Sequence, residues 1–210
     1  MEHKLIKGAV KFMEQNFSEH KELFESLANK QEPHTLFVGC SDSRVVPNLI
    51  TQTLPGELFI VRNIAAIVPH YRTSPDYAAT TSAIEYALCS LPIDSVVICA
   101  HSNCGGCKAL YEEDIAQKMP NLAKWLTLSN EVKEVVSQLN ITDSAKRGWI
   151  TERLSVIASY ENFFTYPNVA KRVSEGSLQI FAWHYVIETG EIFDYQNGEF
   201  VLINAPKLPS

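Results

Sequence analysis

Two short segments concentrate residue types that bind metals or transfer protons. In "VVICAHSNCGGCKAL", His101 and Cys104 follow an apolar run rich in β-branched residues. In "TLFVGCSDSR", Cys40, Asp42 and Arg44 follow a second apolar run. Two thiols and an imidazole are ligands that zinc accepts, and a Cys₂His set leaves one coordination position open, as catalytic zinc sites do. A redox dithiol and ordinary packing around a tight turn are the competing interpretations.

The elements that must position these residues follow an alternating pattern. Continuous apolar segments at 35–40, 56–63 and 94–100 are typical of buried parallel strands, and a helix is predicted over Ser74–Ser90 with Pro75 in its first turn. The stretch "LQIFAWHYVIETGEIFDY" predicts a strand, a Thr-Gly turn and an antiparallel edge strand. The predicted fold class is therefore α/β: a mostly parallel sheet, with four parallel strands and one antiparallel edge strand, flanked by helices.

Helices account for most of the remaining chain. Three are predicted over 105–116, 119–139 and 143–164. Residues 1–30 predict two amphipathic helices, the second capped by Ser18, which precede the first strand and form an arm. With no repeat and no long linker, residues 1–210 are interpreted as one domain carrying this arm.

The sheet predicts where the candidate ligands meet. Ligands of open parallel sheets gather at the carboxyl ends of the strands, and neighbouring strands lie about 4.8 Å apart. Cys40, His101 and Cys104 are therefore expected to converge on one ion. Gly105 and Gly106 would let the backbone approach closely and begin a helix, whose N-terminus would lower the pKa of the Cys104 thiol.

Asp42 and Arg44 have a separate role in this scheme. Zinc with two thiolate ligands acidifies a bound water less than zinc with three histidines, so a nearby proton acceptor would help. A free carboxylate two residues from a ligand would also compete for the metal. A bidentate ion pair with Arg44 would hold Asp42 as an acceptor instead.

Cys107 keeps two alternatives open. It would supply the fourth ligand of a closed structural zinc site with Cys40, His101 and Cys104, or pair with Cys104 as a C-x-x-C redox dithiol. A redox site has no use for His101 or for the Cys-Asp-Arg unit. A closed zinc site has no task for Asp42.

The bulk composition excludes several classes of partner. The 210-residue chain carries a formal charge of −6 and no Lys/Arg cluster, which argues against binding nucleic acid or an anionic membrane. No apolar stretch approaches the ~18 residues of a membrane span, and the first residues have no signal-peptide pattern. The odd count of five cysteines favours metal or catalytic use over disulfides, so a cytoplasmic location is expected.

Together the motifs resemble the β-class carbonic anhydrases. "CSDSR" and "HSNCGG" match the two signature segments of that family, and "PGELFIVRNIA" and "SAIEYAL" match the stretches between them. The resemblance implies one zinc per chain, bound by Cys40, His101 and Cys104, and a catalytic dyad of Asp42 and Arg44.

The resemblance also implies a substrate pocket and a partner. Gln31, Phe59, Tyr86 and Gly105 match pocket positions of the plant-like subgroup, in which a second subunit completes the pocket. A homodimer or a dimer-based tetramer is therefore expected, with the arm wrapping the partner. Bicarbonate-inhibited relatives carry a Trp where this chain has Phe37, so a site open to water is expected.

The implied activity is the reversible hydration of CO₂ to bicarbonate and a proton by zinc-bound hydroxide, with Asp42 as the proton acceptor held by Arg44. The alternatives are hydrolysis of carbon disulfide or carbonyl sulfide at the same site, and a non-catalytic structural zinc module. The chain departs from the family at Ala66, where an Asn is usual and a turn near the pocket would loosen, and at Cys107, which is not a family ligand.

Overall fold

The computed structural model describes residues 3–73 and 76–204. Its centre is a six-stranded sheet in the order β2-β1-β3-β4-β5-β6. The strands are β1 (Thr35–Cys40), β2 (Leu58–Asn63), β3 (Ser95–His101), β4 (Gln179–Tyr185), β5 (Ile192–Gln196) and β6 (Glu199–Leu202). Strands β1 to β4 are parallel, and β5 and β6 run antiparallel to their neighbours.

The predicted α/β class with four parallel strands is confirmed, but the antiparallel part is larger than predicted. Strand β6 pairs with β5 through a two-residue turn, Asn197-Gly198, in which both residues have positive φ, 51° and 92°. Asn-Gly adopts these angles at low cost and is the strongest local hairpin signal. The sequence analysis did not use that signal and therefore missed β6.

The helices surround the sheet. They are α1 (Lys4–Lys11), α2 (Phe17–Glu19), α3 (Lys21–Leu27), α4 (Pro47–Thr51), α5 (Ala78–Ser90), α6 (Gly105–Ala109), α7 (Ile115–Lys118), α8 (Pro120–Leu126), α9 (Asn130–Gln138), α10 (Ser144–Phe163) and α11 (Val169–Ser174). None of the helices within the described residues is long and apolar enough to cross a membrane.

Helix boundaries differ from the prediction where the backbone leaves helical geometry. The segments 105–116 and 119–139 each divide into shorter helices, α8 beginning at Pro120, which has no N–H to continue a preceding helix. Helix α5 begins at Ala78 after Tyr77, whose φ is 61°. The predicted first-turn residue Pro75 lies outside the described residues.

The N-terminal arm contains the two predicted segments, but Ser18 does not cap the second one. Ser18 lies inside α2, and α3 begins after His20, whose φ and ψ of −117° and 19° break the helix. The rings of Phe12, Phe17 and Phe24 pack together with centroids 5.4 to 6.3 Å apart. These rings pack against one another within the arm, and other apolar side chains of α1 remain exposed.

The main core lies between one sheet face and the long helix α10. Leu36, Val38, Val96 and Ile98 are fully buried there, because alternate residues of β1 and β3 point to the same face. Phe163 of α10 packs into the same cluster and is also fully buried. This packing fixes β1 and β3 side by side, and the candidate ligands lie at their carboxyl ends.

Candidate metal centre and active site

Three candidate ligands converge at the carboxyl ends of two neighbouring parallel strands. Cys40 is the last residue of β1, His101 the last residue of β3, and Cys104 follows a turn in which Asn103 has a left-handed φ of 55°. Their ligand atoms all lie within 4.8 Å of one another, and the three residues are buried. The two Sγ atoms are 3.9 Å apart, close to the ~3.8 Å expected for two thiolates at about 2.3 Å in a tetrahedral site.

The imidazole of His101 is oriented for a metal. Its Nδ1 lies 2.9 Å from the Ser102 carbonyl oxygen, a contact that requires the ring to donate from Nδ1. Nε2 then carries the lone pair, and this buried atom has no hydrogen-bond partner among the described residues. A hydrogen bond from the far ring nitrogen to a carbonyl is how proteins fix the tautomer of a metal-binding histidine.

The thiols need a cation to ionise. A hydrogen bond with Cys104 and burial raise the pKa of Cys40 to about 12. A hydrogen bond with Cys107 raises the pKa of Cys104 to about 12 as well. The Cys107 backbone N–H at the start of α6 does lower the Cys104 pKa, but the Cys107 thiol and burial outweigh it, so the predicted net lowering is not found. Binding of a divalent metal here would release protons.

Asp42 and Arg44 form a bidentate ion pair beside the three ligands. Arg44 Nε donates to Asp42 Oδ1 at 2.9 Å, a terminal guanidinium nitrogen donates to Oδ2 at 2.8 Å, and the Arg44 backbone N–H donates to Oδ1 at 3.0 Å. Asp42 Oδ2 lies 3.8 Å from His101 Nε2. These hydrogen bonds hold the pKa of Asp42 well below its usual range, so the carboxylate stays ionised throughout the neutral range.

Asp42 and Cys107 both lie outside the group of mutually close ligand atoms formed by the described residues. The Cys107 thiol contacts that of Cys104 alone among the three, and its Sγ lies 4.0 Å from Ser155 Oγ within an apolar cluster. Cys104 and Cys107 are both free thiols. The group therefore has three members, as an open Cys₂His site requires.

Arg62 and Glu188 hold the two ligand loops, and the sequence analysis did not identify either. Arg62 donates to the Cys40 carbonyl oxygen at 3.0 Å and to the Asp42 carbonyl oxygen at 2.6 Å. Glu188 accepts from Ser102 Oγ at 2.6 Å and from the side-chain amide of Asn103. Glu188 is 86 residues from Ser102 along the chain, so no local pattern indicates the contact.

The two glycines after Cys104 have different roles. A Cβ on Gly106 would lie 2.7 Å from Ile64 Cγ2 and 3.0 Å from Ala65 Cβ, so the predicted close approach is confirmed there. A Cβ on Gly105 would meet no atom within 4 Å, so Gly105 leaves open space next to Cys104.

The turn at Ala66 is formed despite the unusual residue. Ala66 has a φ of 53°, the left-handed region that suits Asn better than Ala. The side chain of Asn63 bridges this turn, donating to the Ile67 carbonyl oxygen at 2.9 Å and accepting from the Ile67 N–H at 2.8 Å. These two hydrogen bonds hold the turn that was expected to loosen.

Three of the predicted pocket residues cluster away from the metal ligands of the same chain. Gln31 Nε2 lies 3.4 Å from the Tyr86 hydroxyl, and the rings of Phe59 and Tyr86 have centroids 5.9 Å apart. Phe59 is level with Leu36 in the sheet, whereas Cys40 is four residues further along β1. At ~3.3 Å per residue, roughly 13 Å of strand separates the two groups. Tyr86 is 47% exposed, so this cluster faces outward.

His184 is a hydrogen-bonded histidine on β4. Its Nε2 lies 3.2 Å from Glu152 Oε2, and both side chains are buried. The other oxygen of Glu152 accepts the Cys104 backbone N–H at 3.0 Å. Glu152 was not identified from the sequence, since it lies 48 residues from Cys104 in the middle of a helix.

Comparisons with known proteins agree with this geometry. Residues 35–192 match the family model of carbonic anhydrase. A carbonic anhydrase of Helicobacter pylori strain J99 is 41% identical over 193 residues, covering 90% of this chain and 87% of that protein. The solved structure of the β-carbonic anhydrase CcaA superimposes with a TM-score of 0.90 at 35% identity, covering 95% of this chain and 98% of that one.

One further structural neighbour bears on assembly. A tetrameric β-carbonic anhydrase of the ascomycete Sordaria macrospora has a TM-score of 0.73 and 28% identity, covering 91% of this chain and 95% of that chain. The family model, the curated relative and the solved structures thus coincide over the segments that carry the Cys-His-Cys group. The chain belongs to the carbonic anhydrases of the β class, a family of enzymes.

Proposed function

We propose that the chain binds one zinc ion per subunit through Cys40, His101 and Cys104 and hydrates CO₂ reversibly to bicarbonate and a proton. The observation that carries this is the buried group of two sulfurs and one free imidazole nitrogen, all within 4.8 Å of one another. When bound, zinc would supply Lewis-acid chemistry, lowering the pKa of a water molecule at its open position.

Asp42 would orient that water and receive its proton at Oδ2, the oxygen nearer to His101 Nε2. Because its own pKa is strongly lowered, Asp42 stays ionised and available as an acceptor, and it does not retain a proton, which passes on to solvent. Arg44 would keep the carboxylate in this accepting position, since its guanidinium engages both oxygens.

Gln31, Phe59 and Tyr86 would contribute the substrate pocket of a partner subunit, and Gly105 would line the pocket on the metal side. The separation of the cluster from Cys40 within one chain supports a pocket completed by a second copy. The exposed apolar side chains of the arm, among them Leu5 at 74% and Met13 at 62% exposure, support the arm as part of that contact. We infer a homodimer or a dimer-based tetramer, in line with the tetrameric relatives.

Five free cysteines support a reducing, cytoplasmic location.

Stopped-flow CO₂ hydration on metal-analysed protein tests the activity. We expect one zinc per chain, hydration by the wild type, and a loss of roughly 10²- to 10⁴-fold in Asp42→Ala with zinc retained. Cys107→Ser is the matched control and should keep both zinc and activity. Zinc without hydration in the wild type would refute the proposed activity, and loss of zinc in Cys107→Ser would favour the structural four-ligand site.

A mixing experiment tests the shared pocket. Chains carrying Asp42→Ala are unfolded and refolded together with chains carrying Gln31→Ala. If the pocket comes from the partner, each mixed dimer contains one intact site, so the mixture regains activity that neither parent has. If both halves come from one chain, every site keeps one defect and mixing restores nothing.

A further inference from the structure

A buried carboxylate lies behind the loop that carries two of the candidate ligands. Glu152, in the middle of α10, is 1% exposed. Its Oε1 accepts the Cys104 backbone N–H at 3.0 Å, and its Oε2 lies 3.2 Å from His184 Nε2. Burial of a carboxylate is costly unless both oxygens have partners, and these two contacts supply them.

The Cys104 amide is a sensitive place for such a contact. Cys104 is the N-cap of α6, and Asn103 before it is in the left-handed region with a φ of 55°. The direction of the Cys104 N–H depends on the same backbone angles that aim its Sγ towards Cys40 and His101. An acceptor fixed on the long helix α10 therefore also fixes the direction of the thiol.

His184 holds Glu152 in turn. It lies on β4 level with Ala100, one residue before His101 on the neighbouring strand. The ring is fully buried and packs edge-to-face on Trp149 with centroids 4.6 Å apart. The imidazole therefore cannot follow Glu152 if the carboxylate moves, and it keeps the carboxylate directed at the Cys104 amide.

We propose that Glu152 is a positioning residue of the metal centre, which holds the Cys104 amide so that the thiol points at the ion, and that His184 acts through Glu152. This rests on the proposed metal site but not on the reaction carried out there. The chain thus connects β4, α10 and the ligand loop through one carboxylate, 48 residues from the amide that it binds.

Metal affinity and a cobalt spectrum test the role without any activity assay. Glu152→Ala should weaken zinc binding by about 10- to 100-fold in chelator competition, the usual cost of losing a group that orients a ligand. In the cobalt(II)-substituted protein the thiolate-to-cobalt and d–d bands should shift. Glu152→Gln keeps an oxygen for the Cys104 N–H, so its affinity and spectrum should stay close to the wild type.

Asp194→Ala is the matched control. Asp194 is also buried and accepts a backbone N–H, that of Ala182 at 3.2 Å, but on the antiparallel side of the sheet. The Asp194→Ala variant should have a lower melting temperature than the wild type but the same zinc affinity. His184→Ala should weaken zinc binding, and the double variant with Glu152→Ala should bind as Glu152→Ala does alone, because His184 acts through the carboxylate.

Three results would overturn the proposal: wild-type zinc affinity and cobalt spectrum in Glu152→Ala, an equal loss in Glu152→Gln, or an equal loss in Asp194→Ala. If Glu152→Ala does not fold, Glu152→Asp replaces it, since a side chain shorter by one methylene cannot reach both partners. A wild-type protein that binds zinc but does not hydrate CO₂ would refute the proposed function and leave this inference intact.

Discussion

Replacing Arg44 by Ala tests whether the guanidinium controls the position of Asp42. The change removes the two side-chain hydrogen bonds to Asp42 at 2.8 and 2.9 Å and a third, to the Asn103 carbonyl oxygen, at 3.1 Å. It leaves the Arg44 backbone N–H on Oδ1 at 3.0 Å. The carboxylate is then free to rotate towards the metal group, because one remaining bond to one oxygen does not fix its plane. We expect zinc to be retained while hydration falls.

The size of this loss follows from the exposure of the pair. The Arg44 side chain is 44% exposed and that of Asp42 is 17% exposed, so the two charge-assisted bonds together contribute about 1 to 2 kcal/mol. At ~1.4 kcal/mol per factor of ten, kcat should fall about 5- to 30-fold. Asp42→Ala removes the acceptor itself, so its loss of kcat should be larger and sets the upper limit for Arg44→Ala. Arg44→Lys keeps the charge but not the two-pronged geometry, and should lie between wild type and Arg44→Ala.

Stopped-flow hydration, zinc analysis and the cobalt(II) spectrum measure the three consequences. Asp42 entering the coordination sphere should change the d–d bands of cobalt in Arg44→Ala but not in Asp42→Ala. The double variant should lose no more activity than Asp42→Ala alone, since Arg44 acts through the carboxylate. Loss of zinc in Arg44→Ala, or losses that add in the double variant, would refute this reasoning.

Three further outcomes are expected. Gly106→Ala should destabilise the fold by about 1 to 3 kcal/mol in denaturant titrations, because its Cβ would lie 2.7 Å from Ile64 Cγ2. Gly105→Ala is the control: its Cβ would meet open space, so the denaturant concentration at the unfolding midpoint should not change. The pKa of Asp42 is lower in the folded than in the unfolded chain, so the ionised carboxylate stabilises the fold above pH ~4, and this stabilisation is lost as the pH falls. The difference in unfolding free energy between wild type and Arg44→Ala should therefore shrink on acidification. A difference that stays constant with pH would contradict the pairing of Asp42 with Arg44. Hydration should rise with pH through the alkaline range, because two thiolate ligands leave zinc a weaker acid, and a flat profile from mildly acidic to alkaline pH would contradict that ligand set.

The ligands could be predicted from the sequence because each lies at the end of a strand or in the turn just after it. Apolar runs identify β1 and β3, and the parallel arrangement brings their carboxyl ends to one edge, so Cys40 and His101 needed no long-range information. The supporting contacts are of another kind. Glu152 and Glu188 reach the ligand loop from 48 and 86 residues away, and neither lies in a recognisable motif. Tertiary packing alone brings them to the loop.

For the pocket residues, closeness along the chain does not predict closeness in space. Gln31 precedes Cys40 by only nine residues, yet β1 occupies most of that interval and is extended. At ~3.3 Å per residue, an extended strand carries its two ends far apart rather than together. The proposed pocket would therefore draw one of these groups from another copy of the chain, and the outward-facing Tyr86 is available for this. The rise of a β-strand thus supports the self-association that we propose for this chain.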